Sequence, residues 1–222
     1  VTPRGGAREI GRSCYQVDSQ EATWLVDCGL SPGDGEKFPD FRGLGIGDVD
    51  AVFLTHAHLD HCGALPVLEN RGYLEDDAPI VTTEPTAQLA ETMLVDSLHI
   101  HEQRVQRRKE EKQFDESDVE RVCDRMVALE YENGLLHDVA PVPESAVVTF
   151  SLGNAAHLLG SAWVSFQTMG RRVLFSGDLG GRAPHLPDID TPPGADLLVL
   201  ESTYGNKHSH QSFTEAESGL FE

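Results

Sequence analysis

The stretch Leu54-Thr55-His56-Ala57-His58-Leu59-Asp60-His61-Cys62-Gly63 follows directly on the apolar run Ala51-Val52-Phe53 and holds four potential metal ligands between positions 56 and 61. Imidazoles and a carboxylate packed this closely at the end of a buried strand are hard to gather by chance. Ordinary polar loop residues near a surface are the weaker reading. Zinc takes imidazole nitrogen or carboxylate oxygen at about 2 Å, converging from several directions. An extended His-x-His step sends both imidazoles to one side of the chain, because side chains alternate with period two. The turn through Asp60 and His61 can then present two further ligands to a second site a few ångströms away. A pair of metals about 3.5–4 Å apart suits phosphoester hydrolysis, since attacking and leaving oxygens can both be stabilised.

Working outward, Ser13-Cys14-Tyr15-Gln16-Val17 and Ala22-Thr23-Trp24-Leu25-Val26 are β-prone runs separated by Asp18-Ser19-Gln20-Glu21, which predicts a hairpin whose second strand ends at Asp27-Cys28-Gly29. Residues 31–47, with Pro32, Gly33, Gly35, Pro39, Gly43, Gly45 and Gly47, read as a loop. Leu65 and Leu68 predict a short helix, and Ile80-Val81-Thr82-Thr83 a strand. Residues 86–131 read as a helical segment. Good helix formers follow Pro85, and a second helix capped by Asp115 or Ser117 carries Val119, Val122, Met126 and Leu129 at helical spacing. Strands are predicted again at 146–150, 162–166, 172–175 and 197–200. Ser212-x-x-Glu215 has the form of a capping box that opens a further helix.

The stretch from Leu54 to Pro66 resembles the signature of the metallo-β-lactamase superfamily, and within it the β-CASP branch that processes nucleic acids. Four further elements occur in the matching order: Leu25-Val26-Asp27-Cys28-Gly29, Asn154 to Ala162 around His157, Leu174-Phe175-Ser176-Gly177-Asp178-Leu179-Gly180, and Glu201-Ser202-Thr203-Tyr204-Gly205. The resemblance implies an α/β fold, an αββα sandwich of two mainly antiparallel sheets with helices outside and a dinuclear site at the sheet edges. It implies a metallo-β-lactamase domain over residues 1–205 and the start of a β-CASP domain in 206–222.

The same resemblance assigns roles. His56, His58 and His157 would hold one zinc ion, Asp60 and His61 a second, and Asp178 would bridge them, with manganese as the alternative metal. Asp27 would stand behind the ligands and steady them. Asp60, Asp178 and Glu201 are the candidate catalytic residues, and a hydroxide shared by the metals would attack phosphorus in line. The implied activity is a metal-dependent ribonuclease acting on RNA, in the manner of archaeal homologues of cleavage and polyadenylation specificity factor and of ribonuclease J, alone, as a homodimer or in an RNA-processing complex. The alternatives are a hydrolase of a small ester or thioester and a non-catalytic subunit of such a complex. In the β-CASP branch later histidines protonate the leaving group and complete the second metal site. His208 and His210 match neither position, and the chain is expected to be the N-terminal part of a larger enzyme.

Composition bounds the rest. The 222 residues carry 17 Lys+Arg against 37 Asp+Glu, a net charge of −20, with 39% hydrophobic residues, enough for the core of one domain. The carboxylates are spread along the chain, as expected for a protein adapted to a salt-rich cytoplasm. Such a charge argues only weakly against a nucleic-acid partner. No run of about 18 apolar residues is present, and no basic-then-apolar leader opens the sequence, so a soluble cytoplasmic protein without a membrane partner is expected. Cys14, Cys28, Cys62 and Cys123 fall at irregular spacings and read as separate thiols. Cys62 reads as a packed loop residue and not a ligand. His99 and His101 read as a solvated or half-buried helix face, and His137 and His185 as loop residues. Arg104, Arg107, Arg108, Lys109 and Lys112, interspersed with Glu110 and Glu111, read as a solvated helix face in preference to an RNA contact.

Overall fold

Apolar residues alternating along short strands bury two faces at once, and this is what layers the chain. The computed structural model describes residues 1–31, 37–181 and 186–205. Part of the glycine-rich loop (Pro32, Gly33, Gly35), His185, His208, His210, the capping box at Ser212 and the whole expected second-domain segment 206–222 lie outside the described residues.

The first sheet runs β1 (Thr2–Gly5), β2 (Cys14–Asp18), β3 (Thr23–Val26), β4 (Ala51–Phe53), β5 (Ile80–Thr83) and β6 (Met126–Leu129), in that spatial order. Helices α1 (Leu59–Cys62) and α2 (Leu65–Asn70) join β4 to β5, and α3 (Glu84–Arg108) and α4 (Glu116–Asp124) join β5 to β6. The second sheet comprises β7 (Asn133–Leu135), β8 (Val148–Asn154), β9 (Ala162–Thr168), β10 (Arg171–Phe175) and β11 (Leu197–Val199), in the order β11-β10-β9-β8-β7, with α5 (Leu136–Val139) between β7 and β8.

Leu25, Val52 and Ile80 face the helices, where they meet Leu65, Leu68, Leu94, Val119 and Val122. Their chain neighbours Trp24, Val26, Phe53 and Val81 face the second sheet and pack on Phe150, Val164 and Phe166. The Phe53 ring lies 4.7 Å from Phe166 and 5.2 Å from Phe150, the offset and edge geometries that aromatic quadrupoles favour. A sheet buried on both faces explains why its central strands read as unbroken apolar runs. The result is the expected α/β sandwich, helices on sheet on sheet. The outer side of the second sheet is met by segment 186–196, where Trp163 Nε1 donates to the Asp190 carbonyl at 3.1 Å. At the sheet's edge β11 pairs only with β10 among the described residues, and Leu197, Leu198 and Leu200 are about half exposed.

Several expectations need correction. The first sheet is mixed and not mainly antiparallel: β3–β4, β4–β5 and β5–β6 pair in parallel, because a long loop or helices carry the chain back across the sheet between them. Met126 and Leu129 do not continue a helix. The α4 turn stops at Arg125, and Met126–Leu129 adds to the sheet edge beside Ile80–Thr83. Asp115, not Ser117, caps α4, accepting the Ser117 N–H at 3.0 Å while Asp118 accepts the Asp115 N–H at 2.8 Å. His101 is neither solvated nor half-buried: it is 2% exposed, stacked on Phe114 at 4.5 Å. His137 lies in α5 and not in a loop. The α3 helix ends at Arg108, so Glu110 and Glu111 fall beyond it. Among the described residues no helix is long and apolar enough to cross a membrane.

Strand directions place the site. β3 and β4 run in parallel, and β8 and β10, each antiparallel to β9, share one direction. Asp27 follows β3, His56–His61 follow β4, His157 follows β8, Asp178 follows β10 and Glu201 follows β11. Every sequence-predicted site residue therefore sits just past the carboxyl end of a strand.

Candidate metal centre

Asp27 turns the chain out of β3 in a left-handed conformation (φ 60°), rare for a residue with a side chain. Its carboxylate is 2% exposed and ties the ligand loop together. Oδ1 accepts the Thr55 N–H at 2.8 Å, while Oδ2 accepts the Thr55 hydroxyl at 3.0 Å and the His61 ring N–H (Nδ1) at 2.7 Å. A carboxylate on Nδ1 sets the tautomer of His61 and leaves Nε2 facing forward. Nε2 stands 3.3 Å from Asp178 Oδ1 and 3.9 Å from Asp60 Oδ2. Thr55 Oγ1 also lies 3.1 Å from His56 Nδ1, so that nitrogen can donate to the hydroxyl and leave Nε2 free of a proton.

Three imidazoles converge beside this pair. His58 Nδ1 is 3.1 Å from His56 Nε2 and 3.3 Å from His157 Nε2. Asp178 Oδ2 approaches the same nitrogens, at 3.9 Å from His56 Nε2 and 3.7 Å from His157 Nε2. One donor atom from each of His56, His58, His157 and Asp178 lies within 4.8 Å of all the others. Four ligands at about 2.0–2.1 Å around a tetrahedral zinc stand about 3.3 Å apart, so the imidazole spacing matches such a shell. Neutral nitrogens turned lone pair to lone pair repel one another, and a cation between them removes the conflict. The donor set fits a divalent metal.

Electrostatics agree. Burial, reinforced by the charge on His61, pulls the His56 pKa far down, so its ring is neutral and free to bind. His157 is lowered by burial, with His58 and His61 adding to the effect. For His61 burial also favours the neutral ring, but Asp27 and Asp178 outweigh it and push the pKa up to about 10. Burial would raise Asp178, yet the hydrogen bond and charge of His61 hold it below the usual carboxylate range. A cation bound at His61 Nε2 therefore displaces a proton.

The backbone holds these loops in place. Ser13 N–H donates to the Asp60 carbonyl at 2.8 Å, and Cys28 N–H to the His61 carbonyl at 2.7 Å. Gly29 lies so close that a Cβ there would come within 1.7 Å of the Asp60 carbonyl oxygen, and one at Gly180 within 1.6 Å of that of Ala156. The fully buried Cys62 thiol donates to the Ala57 carbonyl at 3.3 Å, a packing role as expected. Ser161 Oγ accepts the N–H groups of His157 and Leu158 at 2.9 and 3.1 Å, and Asn154 Oδ1 accepts that of Ala156 at 2.9 Å. Thr55, Ser161 and Asn154 were not singled out from the sequence. Each stands beside a ligand within the quoted motifs, but nothing local marks a hydroxyl or amide as buried.

Glu201 is half-buried. Its N–H donates to Ser176 Oγ at 3.0 Å, and its carboxylate accepts the Thr203 N–H at 2.9 Å. With Asp60, His61 and Asp178 it lines a cleft of about 680 Å³ that is also bounded by residues 6–11. The structure thus brings all eight sequence-predicted site residues to one end of the two sheets, with Asp27 behind the ligands and Glu201 in the cleft wall.

A sequence model described as "Metallo-beta-lactamase superfamily" matches residues 7–76, a span that includes Asp27 and the whole 56–61 cluster. The chain belongs to the metallo-β-lactamase superfamily. Similar superfamily relatives include a ribonuclease of Thermus thermophilus, 37% identical over 218 residues, covering 97% of this chain and 46% of the relative. Transcription termination factor FttA of Methanocaldococcus jannaschii is 34% identical over 209 residues (90% of this chain, 31% of that one). An RNase J-like protein of the same organism is 34% identical over 209 residues, covering 91% and 42%. The chain spans less than half the length of each. Among solved structures, a protein of unknown function from Enterococcus faecalis matches with a TM-score of 0.51 at 20% identity, over 80% of this chain and 42% of that one, a likeness of fold alone.

Proposed function

We propose that the chain carries the metal centre of a metal-dependent ribonuclease of the β-CASP kind, hydrolysing RNA phosphodiester bonds in RNA processing or decay. One observation carries the reading: the Asp178 carboxylate is shared out, Oδ2 towards His56 and His157 and Oδ1 towards His61. A carboxylate divided between two donor groups is what a bridging ligand requires. His56, His58 and His157 would hold one ion, Asp60 and His61 the other, and Asp178 both. The nitrogen and oxygen donors suit zinc, with manganese as the alternative. Bound there, such a pair supplies an activated water and neutralises charge developing on the phosphate.

The chain's own residues prepare that chemistry. Asp27 orients His61 and Thr55 orients His56, each turning Nε2 toward the centre, where a cation replaces the proton that His61 carries there. Glu201, aimed by Ser176 and Thr203, places a further carboxylate on the cleft wall. RNA is preferred to a small ester or thioester as substrate because two of the three relatives described are ribonucleases by name.

The test is the intact gene product, wild type and Asp178→Ala, on end-labelled RNA in high salt with zinc or manganese. Loss of the bridging carboxylate should lower cleavage by about a thousand-fold or more, the equivalent of several kcal/mol of transition-state stabilisation. Equal cleavage by the two proteins would remove the dinuclear mechanism.

A further inference from the structure

The cleft beside the metal centre is lined by five carboxylates, Glu9, Asp27, Asp60, Asp178 and Glu201, in a chain of net charge −20. A polyanionic strand needs positive charge on more than the floor of such a cleft. Among the described lining residues Arg8 is the one arginine or lysine. Its neighbour Glu9 is already engaged by Arg12, at 2.8 Å (Nε to Oε1) and 3.2 Å (Nη2 to Oε2), and Arg12 also donates to the Phe38 carbonyl at 2.9 Å. Arg8 itself is exposed, and among the described residues its guanidinium makes no hydrogen bond or ion pair.

The segment bearing Arg8 is fixed relative to the metal loop. Ser13 N–H donates to the Asp60 carbonyl at 2.8 Å, and Gly29 N–H to the Ser13 carbonyl at 2.9 Å. Gly11 packs so closely that a Cβ there would lie 3.0 Å from Ser31 Oγ. Arg8 takes a left-handed conformation (φ 62°), unfavourable for an arginine, and so projects from a segment that is not free to relax. A fork of donors on the lining of an acidic cleft, with its own acidic neighbour neutralised, is suited to a phosphate oxygen pair.

We propose that Arg8 is a substrate-binding residue, whose guanidinium grips a backbone phosphate flanking the scissile bond of the RNA strand. It would set which phosphate reaches the metal centre and would act on binding more than on the chemical step.

Because this role presupposes the RNA-cleaving reading above, two substrates and a binding measurement keep the two apart. The intact gene product is prepared as wild type, Arg8→Gly and Arg8→Lys, each also in an Asp178→Ala background. Glycine suits the left-handed backbone, so Arg8→Gly removes the side chain without straining the fold. Fluorescence anisotropy with a labelled single-stranded RNA over a series of KCl concentrations reads binding. Steady-state kinetics on RNA and on bis(p-nitrophenyl) phosphate, which has no flanking phosphate, reads turnover.

Arg8→Gly is expected to weaken RNA binding about ten-fold, as loss of one charge-assisted pair does. It should lower the slope of log K against log salt by about 0.7, the signature of one phosphate contact on a single strand. KM for RNA should rise more than kcat falls, and the loss on RNA should exceed that on the small diester by about five-fold or more. Arg8→Lys should recover the salt slope. Unchanged affinity and slope, or equal losses on both substrates, overturn the assignment. Equal RNA cleavage by wild type and Asp178→Ala instead overturns the nuclease reading, and the anisotropy arm then decides the role of Arg8 by itself.

Discussion

The two halves of the candidate metal centre are built differently. On one side His56, His58, His157 and Asp178 gather one donor atom each within 4.8 Å of all the others, on loops fastened by Thr55, Ser161 and Asn154. On the other, His61 is clamped from behind by Asp27, but its forward neighbours are only Asp178 at 3.3 Å and Asp60 at 3.9 Å, and the rest opens into the cleft. The first half has four protein donors, the second fewer and an opening to the cleft. In metal enzymes an open position is where water or substrate enters, so asymmetry of this kind separates the holding of an ion from its use.

The sharpest way to break the comparison is to remove one ligand from each half. His157→Ala should weaken the tighter metal site by about a hundred-fold or more, whereas Asp60→Ala should leave that site within a few-fold and weaken only the looser one. Titration calorimetry on the apo protein, with metal content by emission spectroscopy, reads both. Equal losses from the two variants would show a single cooperative site.

Asp27→Asn acts one layer further back. It removes the charge that orients His61 and leaves a buried imidazole poorly matched. The second site should lose about 10–100-fold in affinity, and the apo fold about 2–4 kcal/mol by denaturant titration. Unchanged affinity would mean that His61 is held by packing alone. Thr55→Val, nearly isosteric, should cost about 1–2 kcal/mol and affect the closed half more than the open one, because its hydroxyl serves His56 at 3.1 Å and His61 only at 3.5 Å. The smallest effect per group concerns the surface. If the spread of carboxylates serves a salt-rich cytoplasm, Tm should climb steadily with KCl in wild type and in all of these variants alike. A flat response would set that reading aside.

Much of the site could be read from the sequence because its chemistry is local. His56-Ala57-His58 and Asp60-His61 are neighbours in the chain, and the motifs around Asp27, His157, Asp178 and Glu201 each carry their own spacing. Strand positions followed from apolar runs in the same way. What escaped depends on partners distant in sequence. Whether β4 and β5 run parallel is decided by the path of the chain between them, which periodicity within a strand does not encode. Met126 and Leu129 are spaced for one helix face, yet in β6 they stand on opposite faces and meet the two different cores, and only the edge of β5 selects the strand. The burial of His101 follows from Phe114 folding back over it, thirteen residues on by chain position. Arg8 escaped for the opposite reason, since a lone arginine in a glycine-rich turn gains meaning only from the carboxylates that line the same cleft.

The leucines along β11 carry a consequence for handling the molecule. A strand that, among the described residues, pairs on one side only and carries half-exposed Leu197, Leu198 and Leu200 is a template on which a second copy can add. Mutual repulsion between molecules of charge −20 holds such copies apart in dilute buffer. Electrolyte thins that repulsive cushion, so this 222-residue polypeptide, purified by itself, should grow more prone to cloud the tube as salt is added, whatever its melting point does.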